Sequence, residues 1–489
     1  MVVNSFQFLA FFIVVFVVYY LPWMRQAKTR QNVWLLLTSY FFYGFVDWRM
    51  LPILLAVTIV FFFIGKVLRK YIDEGKTVPA SRLTTTGVLI GIGILFYFKY
   101  LNFFADSVVQ LLQSIGFGVS WSTLNIVLPV GVSFFTFKLI CYVIEVHREK
   151  IMPSEDFLEF ATYIAFFPTI MSGPIDRPGK FLPQLRKAHS FDFNLAMDGC
   201  QQILWGIFTK MVIADNLSSF TSEAWSSFGD KSSWELVYAV ILSPLQVYAD
   251  FDGYSNMAIG VGKILGFNIT KNFDHPLLAR NVSEYWRRWH ISLTTWITDY
   301  VFMPLNVAFR NLDKLGIWLA ITINLVVIGL WHGANWTYAV FGIYHSLLFI
   351  PLIWSGSFGK NKKLKEGKYG LPRFSDFLLM ILTYVIIGFG HIIFFAKDVP
   401  SWGNFMTSMY AGDWSFVNPL SVIGIRPLLY MALLFVIEWI TRKKEFAIQR
   451  SSLLYSNKVV RLFVCDLLLA LSIAVLGSGS ASAFIYFQF

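Results

Sequence analysis

The sequence predicts an all-α protein, a polytopic transmembrane helical bundle of about 10–12 spans with re-entrant or interfacial helices. Three observations carry this. Of 489 residues, 56% are hydrophobic and only 14% charged, against about a quarter charged in a soluble domain. Mean hydropathy is +0.59. No Asp, Glu, Lys or Arg occurs between Lys314 and Lys360.

The apolar runs lie near 6–23, 33–48, 51–66, 84–100, 126–144, 157–172, 234–251, 315–332, 336–355, 376–395, 427–441 and 460–476. The first lacks a basic leader and a small-residue cleavage site, so it reads as a retained span. Net charge is +11. The bases sit between apolar runs, as in cytoplasmic loops, and nucleic-acid binding is set aside. Arg25, Lys28 and Arg30 follow the first span. Lys66, Arg69, Lys70, Lys76 and Arg82 follow the third; Lys360, Lys362, Lys363, Lys365 and Lys368 follow 336–355; Arg442, Lys443 and Lys444 follow 427–441. With these facing the cytoplasm, the N-terminus and the 396–425 loop lie outside. Cys141, Cys200 and Cys465 are far apart and form no CxxC pair. Neither a disulfide framework nor a metal site is indicated.

Residues 173–233 and 252–314 are more polar. Irregular backbone at membrane depth needs a protein or water-filled surround. Within them, "SEYWRRWHISLTTWITDY" (283–300) spaces Trp286, Trp289, His290, Leu293, Trp296, Ile297 and Tyr300 three or four apart. That is one stripe of a helix, with Ser283 able to cap its start. Three Trp and the adjacent Arg287 and Arg288 suggest a helix on the cytoplasmic membrane surface. His290 then points inward with the Trp side chains, either as a hydrogen-bonded core histidine or as a lining residue.

The 45 uncharged positions 315–359 hold "GLWHGANWTY". They fit two spans, with Gly333, Ala334 and Asn335 making the turn. His332 sits at that tip, away from the cytoplasm, beside Trp331. A neutral imidazole suits general-base work, its ordinary pKa being about 6.5. A corner histidine bonded to a carbonyl is the plainer alternative. Gly333 offers close approach of backbone and ligand. His345 reads as interhelical packing.

In "QVYADFDGYSNMAIG" (246–260), Asp250 and Asp252 end an apolar run. Intramembrane carboxylates point to function, but polar pairing, site lining and cation binding all stay open. Lys138 and Glu145 lie two turns apart and are expected to pair with other buried groups. GxSxG, HExxH and Walker patterns are absent from the sequence.

Together the segments resemble the membrane-bound O-acyltransferase (MBOAT) family, nearest its alginate O-acetylation branch, with the teichoic-acid D-alanylation branch more distant. The resemblance runs through nearly the whole chain. It rests on "PVGVSFFTFKLICYVIEV", "FFPTIMSGPIDRPGKFLPQL", "GIFTKMVIADNL", "YADFDGYSNMAIGVGKILGFN", "NFDHPLLARNVSEYWRRWHISLTTWITDYVFMPL" and "GLWHGANWTYAVFGIYH". It departs after "DYVFMPL", where this chain reads "NVAFRNLDKLG".

The resemblance implies a central tunnel and one MBOAT-type membrane domain, 1–489. Its parts are N-terminal spans (1–125), a catalytic core (126–355) and C-terminal spans (356–489). His332 matches the family's invariant histidine and His290 its second position. The implied activity is O-acyl transfer from a cytoplasmic thioester, acetyl-CoA or an acyl carrier protein, to hydroxyls of a cell-envelope polysaccharide across the cytoplasmic (inner) membrane. An extracytoplasmic acetyltransferase partner is implied, and no tightly bound cofactor. Expected tunnel or donor contacts are Asn335, Trp331, Gly333, Asp250, Asp252, Trp286, Arg287 and Arg288. Arg280 joins the two arginines in meeting donor phosphates, with lipid-headgroup anchoring the alternative for Arg287 and Arg288. D-alanyl transfer to teichoic acid is the alternative within the enzyme class, and a transporter or channel outside it.

Overall fold

The computed structural model describes residues 3–25, 27–360, 364, 367, 370–449 and 466–477. Among them every regular element is helical. Among the described residues five helical runs are long and apolar enough to cross a membrane: Lys28–Asp73, Thr77–Ser114, Arg310–His332, Trp336–Trp354 and Phe374–Phe395. Lys28–Asp73, at 46 residues, joins two of the expected spans through a single 3-10 turn. The expected 460–476 span falls partly outside the described residues, as do Lys362, Lys363, Lys365 and Lys368.

Two compact units form, one of residues 1–203 and 257–270, the other of 204–256 and 271–489. In the first, Val132–His147 is buried along almost its whole length. Neighbouring helices approach it through glycine. A Cβ on Gly65 would lie 2.5 Å from the Tyr142 hydroxyl, and one on Gly91 2.6 Å from Ile140. The helix starts at Gly131, whose φ of 72° and abutment on the Ile170 carbonyl admit no side chain. Lys138 finds protein partners at this depth, donating to the Tyr163 carbonyl (3.1 Å) and Thr169 Oγ1 (3.0 Å). Glu145 faces Arg177 at 3.9 Å.

The second unit carries most of the histidines. Its framework is the 233–256 part of the Ser233–Ile264 helix, the Asp313–His332 and Trp336–Leu347 hairpin, Phe374–Phe395, and Ile425–Thr441. The hairpin helices meet at backbone distance. A Cβ on Gly329 would collide with the Tyr338 carbonyl, and one on Gly342 would lie 2.5 Å from the Leu325 carbonyl. Lys314 donates to the Trp354 carbonyl (2.9 Å), so the two outer ends of the hairpin are joined opposite its tip.

Candidate active site

The turn falls where the spacing predicts. The first hairpin helix ends on His332, Gly333 is extended, and Asn335 starts the second. Asn335 Oδ1 accepts from the Thr337 amide (3.0 Å), a helix cap, and Nδ2 donates to the Lys397 carbonyl (2.6 Å). Its side chain is thus engaged in shaping the turn. Gly333 is needed for size, since a Cβ there would strike the Tyr338 ring. The neighbour that approaches Gly333 closely is therefore protein.

The single helix expected over 283–300 is not what forms. Val282–Arg288 and Ile291–Ile297 are separate helices, followed by a π-turn at Thr298–Phe302. His290 breaks them, with φ 43° and ψ 52° in the left-handed region. A regular stripe is blind to one left-handed residue, which redirects everything after it. Asn281 caps the first helix, its side chain accepting from the Glu284 amide, in place of Ser283. Trp286, Trp289 and Trp296 are buried in protein; they do not form the expected membrane-surface stripe.

The redirected His290 meets the hairpin tip. Ring centroids lie 5.4 Å apart for His290 and Trp331, and 5.1 Å for Trp331 and His332. Phe251 packs edge-on to His290 at 4.7 Å. Burial pushes the His290 imidazole well below its ordinary value, and His332 adds to the effect. The ring is therefore neutral at pH 7.

From His332 the aromatic contacts continue through Phe394 (5.2 Å) and Phe341 (5.5 Å from Phe394) to His345 (4.4 Å from Phe341). Trp286 Nε1 donates to His345 Nδ1 at 3.3 Å, an interhelical role for that histidine. His391 lies in the same shell, 6.3 Å from Phe394. Sequence reasoning passed it over. The signal was available, as an imidazole in the apolar run "GFGHIIFF".

Two cavities open at the charged end of the hairpin. A polar one of about 680 Å³ is lined by Arg280, Arg287, Arg288 and Lys360, with Glu284 and Asp376. Arg280 pairs with Glu284 (3.0 Å) and Asp376 (3.3 Å), and Arg288 with Glu284 (2.6 Å). Arg287 donates to Ser283 Oγ (2.8 Å). An apolar cavity of about 280 Å³ shares Ser283 and Arg287 with the first and reaches Trp286, Leu325 and Ile328. Toward the tip end, a third of about 210 Å³ is lined by Trp225, Phe395, Phe405, Lys397, Ser226 and Ser401.

The two aspartates part company. Asp250 takes Lys210 Nζ at 2.6 Å, and Asp215 shares the same ammonium at 2.7 Å. Asp252 accepts from Asn256 Nδ2 (2.8 Å). One turn earlier, Tyr248 donates to Glu438 Oε1 (3.0 Å), whose Oε2 meets His275 Nδ1 at 2.6 Å. Burial pulls the His275 imidazole down, but the Glu438 carboxylate and the Lys444 carbonyl more than reverse this, leaving it raised. Neither His275 nor Glu438 stood out in sequence, because they lie 163 residues apart. Among the described residues no cluster of three or more His, Cys, Asp or Glu is placed to hold a metal.

The chain is similar to several acyltransferases. The chain is 32% identical over 450 residues to the probable alginate O-acetylase AlgI of Pseudomonas aeruginosa, covering 87% of this chain and 78% of that one. It is 28% identical over 318 residues to the peptidoglycan O-acetyltransferase of Helicobacter pylori, 58% of each chain. Over 297 residues it is 28% identical to the teichoic acid D-alanyltransferase of Bacillus subtilis, covering 56% of this chain and 70% of that one. The profile of the membrane-bound O-acyltransferase family matches residues 149–355, which contain His290, His332 and both cavities' arginines. A helical membrane protein with these relatives is an O-acyltransferase, and the chain belongs to the membrane-bound O-acyltransferase family.

Proposed function

We propose that the protein moves an acetyl or related acyl group from a cytoplasmic thioester to hydroxyls of an extracytoplasmic polysaccharide, directly or through an extracytoplasmic partner protein. Its place would be the cytoplasmic membrane, with the N-terminus outside. One observation carries the reading: His290 and His332 meet at Trp331, with an arginine-lined cavity toward the charged end of the hairpin and a smaller cavity toward its tip. The polar cavity suits the phosphates of coenzyme A or phosphopantetheine, which arginine binds as charge-assisted pairs. The adjoining apolar cavity suits the pantetheine arm. The names of the P. aeruginosa and H. pylori relatives point to an acetyl group and a glycan acceptor.

In this mechanism His332 takes the proton of an acceptor hydroxyl. The oxygen attacks the thioester carbonyl, the C–O bond forms and the C–S bond breaks. The thiolate leaves and recovers the proton from the imidazolium. General-base help contributes about 10²–10⁴-fold, and orientation and oxyanion stabilisation supply the rest. Neutral His290 orients the reacting groups. Direct transfer accounts for this without an acyl-enzyme, since no Ser or Cys neighbours His332 in sequence.

The B. subtilis relative supports a second reading, D-alanyl transfer from a carrier-protein thioester. Mass spectrometry of the envelope polymer in a deletion strain separates the two. Loss of acetyl esters, restored by the wild-type chain and not by His332→Ala, is the expected result. Loss of D-alanyl esters alone selects the second reading. Full acylation by His332→Ala overturns both.

A further inference from the structure

We infer that Asn272 is a positioning residue for His290, the inner strut of a strap, residues 272–275, that holds the left-handed turn open. The inference rests on the role given to His290 above. A histidine at φ 43° keeps that conformation only if its surroundings impose it.

The strap runs beside the turn and brackets it on both sides. Ahead of His290, the Asp274 amide donates to the Arg288 carbonyl (3.0 Å). Behind it, the Ile291 amide donates to the Asn272 carbonyl (2.8 Å). The Asn272 side chain then closes the bracket. Its Oδ1 accepts from Ser292 Oγ (2.6 Å), and its Nδ2 donates to Ser255 Oγ (3.0 Å) on the long 233–264 helix. Asn272, Ser292 and Ser255 are each 1% exposed. One amide thus ties the residues just after His290 to a helix that carries Phe251, the ring packed on His290. The amide accepts from Ser292 with its oxygen and donates to Ser255 with its nitrogen, so one planar group supplies both roles. The outer end of the strap is anchored separately. His275, itself left-handed at φ 51°, grips Glu438 and the Lys444 carbonyl, and its own carbonyl accepts from Arg288.

The test uses the full-length protein in a deletion strain, reading base-labile acyl groups on the envelope polymer, with the thermal midpoint of each purified variant measured alongside. Asn272→Ala should lower acylation about 10- to 100-fold, the scale of a misplaced catalytic group. Ser292→Ala, which removes one hydrogen bond and no amide, should lower it less. The decisive measure is non-additivity: Asn272→Ala combined with His290→Ala should be no worse than His290→Ala alone. A merely structural role would make the losses multiply, and that outcome overturns the inference. Full acylation by both Asn272→Ala and Ser292→Ala overturns it as well. If His290→Ala itself acylates fully, the role proposed for His290 fails first and the strap's with it. If Asn272→Ala does not fold, the same comparison with Ser292→Ala decides.

Discussion

His290 and His332 share one neighbour: both imidazoles pack on the Trp331 indole, with centroids at 5.4 and 5.1 Å. They are 42 residues apart, and they meet because one ends a hairpin helix and the other bends the chain at a left-handed turn. His332→Ala should therefore lower acyl transfer by about 10²–10⁴-fold in a variant that still folds. Transfer assayed with purified protein checks this, and retained activity refutes the assignment.

Gly333 lies against the Tyr338 ring. Gly333→Ala must push that ring or the tip aside, and His332 moves with the tip. A loss of about 10²-fold in kcat, with KM for the donor unchanged, is expected from a displacement near 1 Å. The paired variant Gly333→Ala, Tyr338→Leu should recover activity.

Arg287 lines both cavities at the charged end of the hairpin and spends one nitrogen on Ser283. If it also meets a donor phosphate, Arg287→Ala removes a charge-assisted bond of about 1.5–3 kcal/mol. The KM for the thioester should rise about 10- to 100-fold with kcat nearly kept. A pure lipid anchor predicts no change in KM.

Lys210 holds Asp215 and Asp250 with all three side chains at most 4% exposed. Lys210→Met leaves two buried carboxylates facing each other and should cost about 3–5 kcal/mol. Adding Asp215→Asn and Asp250→Asn should recover most of it, as read by thermal unfolding. If Asp250→Asn alone abolishes transfer with stability intact, Asp250 lines the site instead.

The His275–Glu438 pair makes stability depend on pH. An unfolded histidine titrates near 6.5, and the folded one higher. The pair's contribution is complete below about 6.5 and is lost as pH rises through the folded value. Burial and the Glu438 carboxylate push the neighbouring Asp252 carboxyl up to about 8, so it titrates in the same range. The thermal midpoint of the wild type should fall as pH rises from 6.5, and that of His275→Gln should fall less over the same range.

Much of this was legible in one dimension. The helical membrane class follows from the cost of charge and open backbone in lipid, which writes itself into runs such as 315–359. The hairpin turn at Gly333–Asn335 and the placement of His332 at its tip follow from span length. The family resemblance, carried by "WRRWH" and "GLWHGANWTY", marked both histidines. What the stripe over 283–300 concealed was the break at His290, because periodicity assumes one backbone conformation throughout.

The sequence by itself therefore determined the class, the hairpin and which imidazoles to watch. Only the tertiary structure decided how His290 turns toward Trp331, that Asp250 answers to Lys210, that Asn272 and the His275–Glu438 pair brace the His290 turn, and that His391 lies beside Phe394. The physical reason is separation along the chain. Asn272 contacts Ser255 and Ser292, and His275 contacts Glu438, through hydrogen bonds between segments 17 to 163 residues apart. A local pattern records which face of a helix is apolar; it carries no trace of which distant polar group that face will meet.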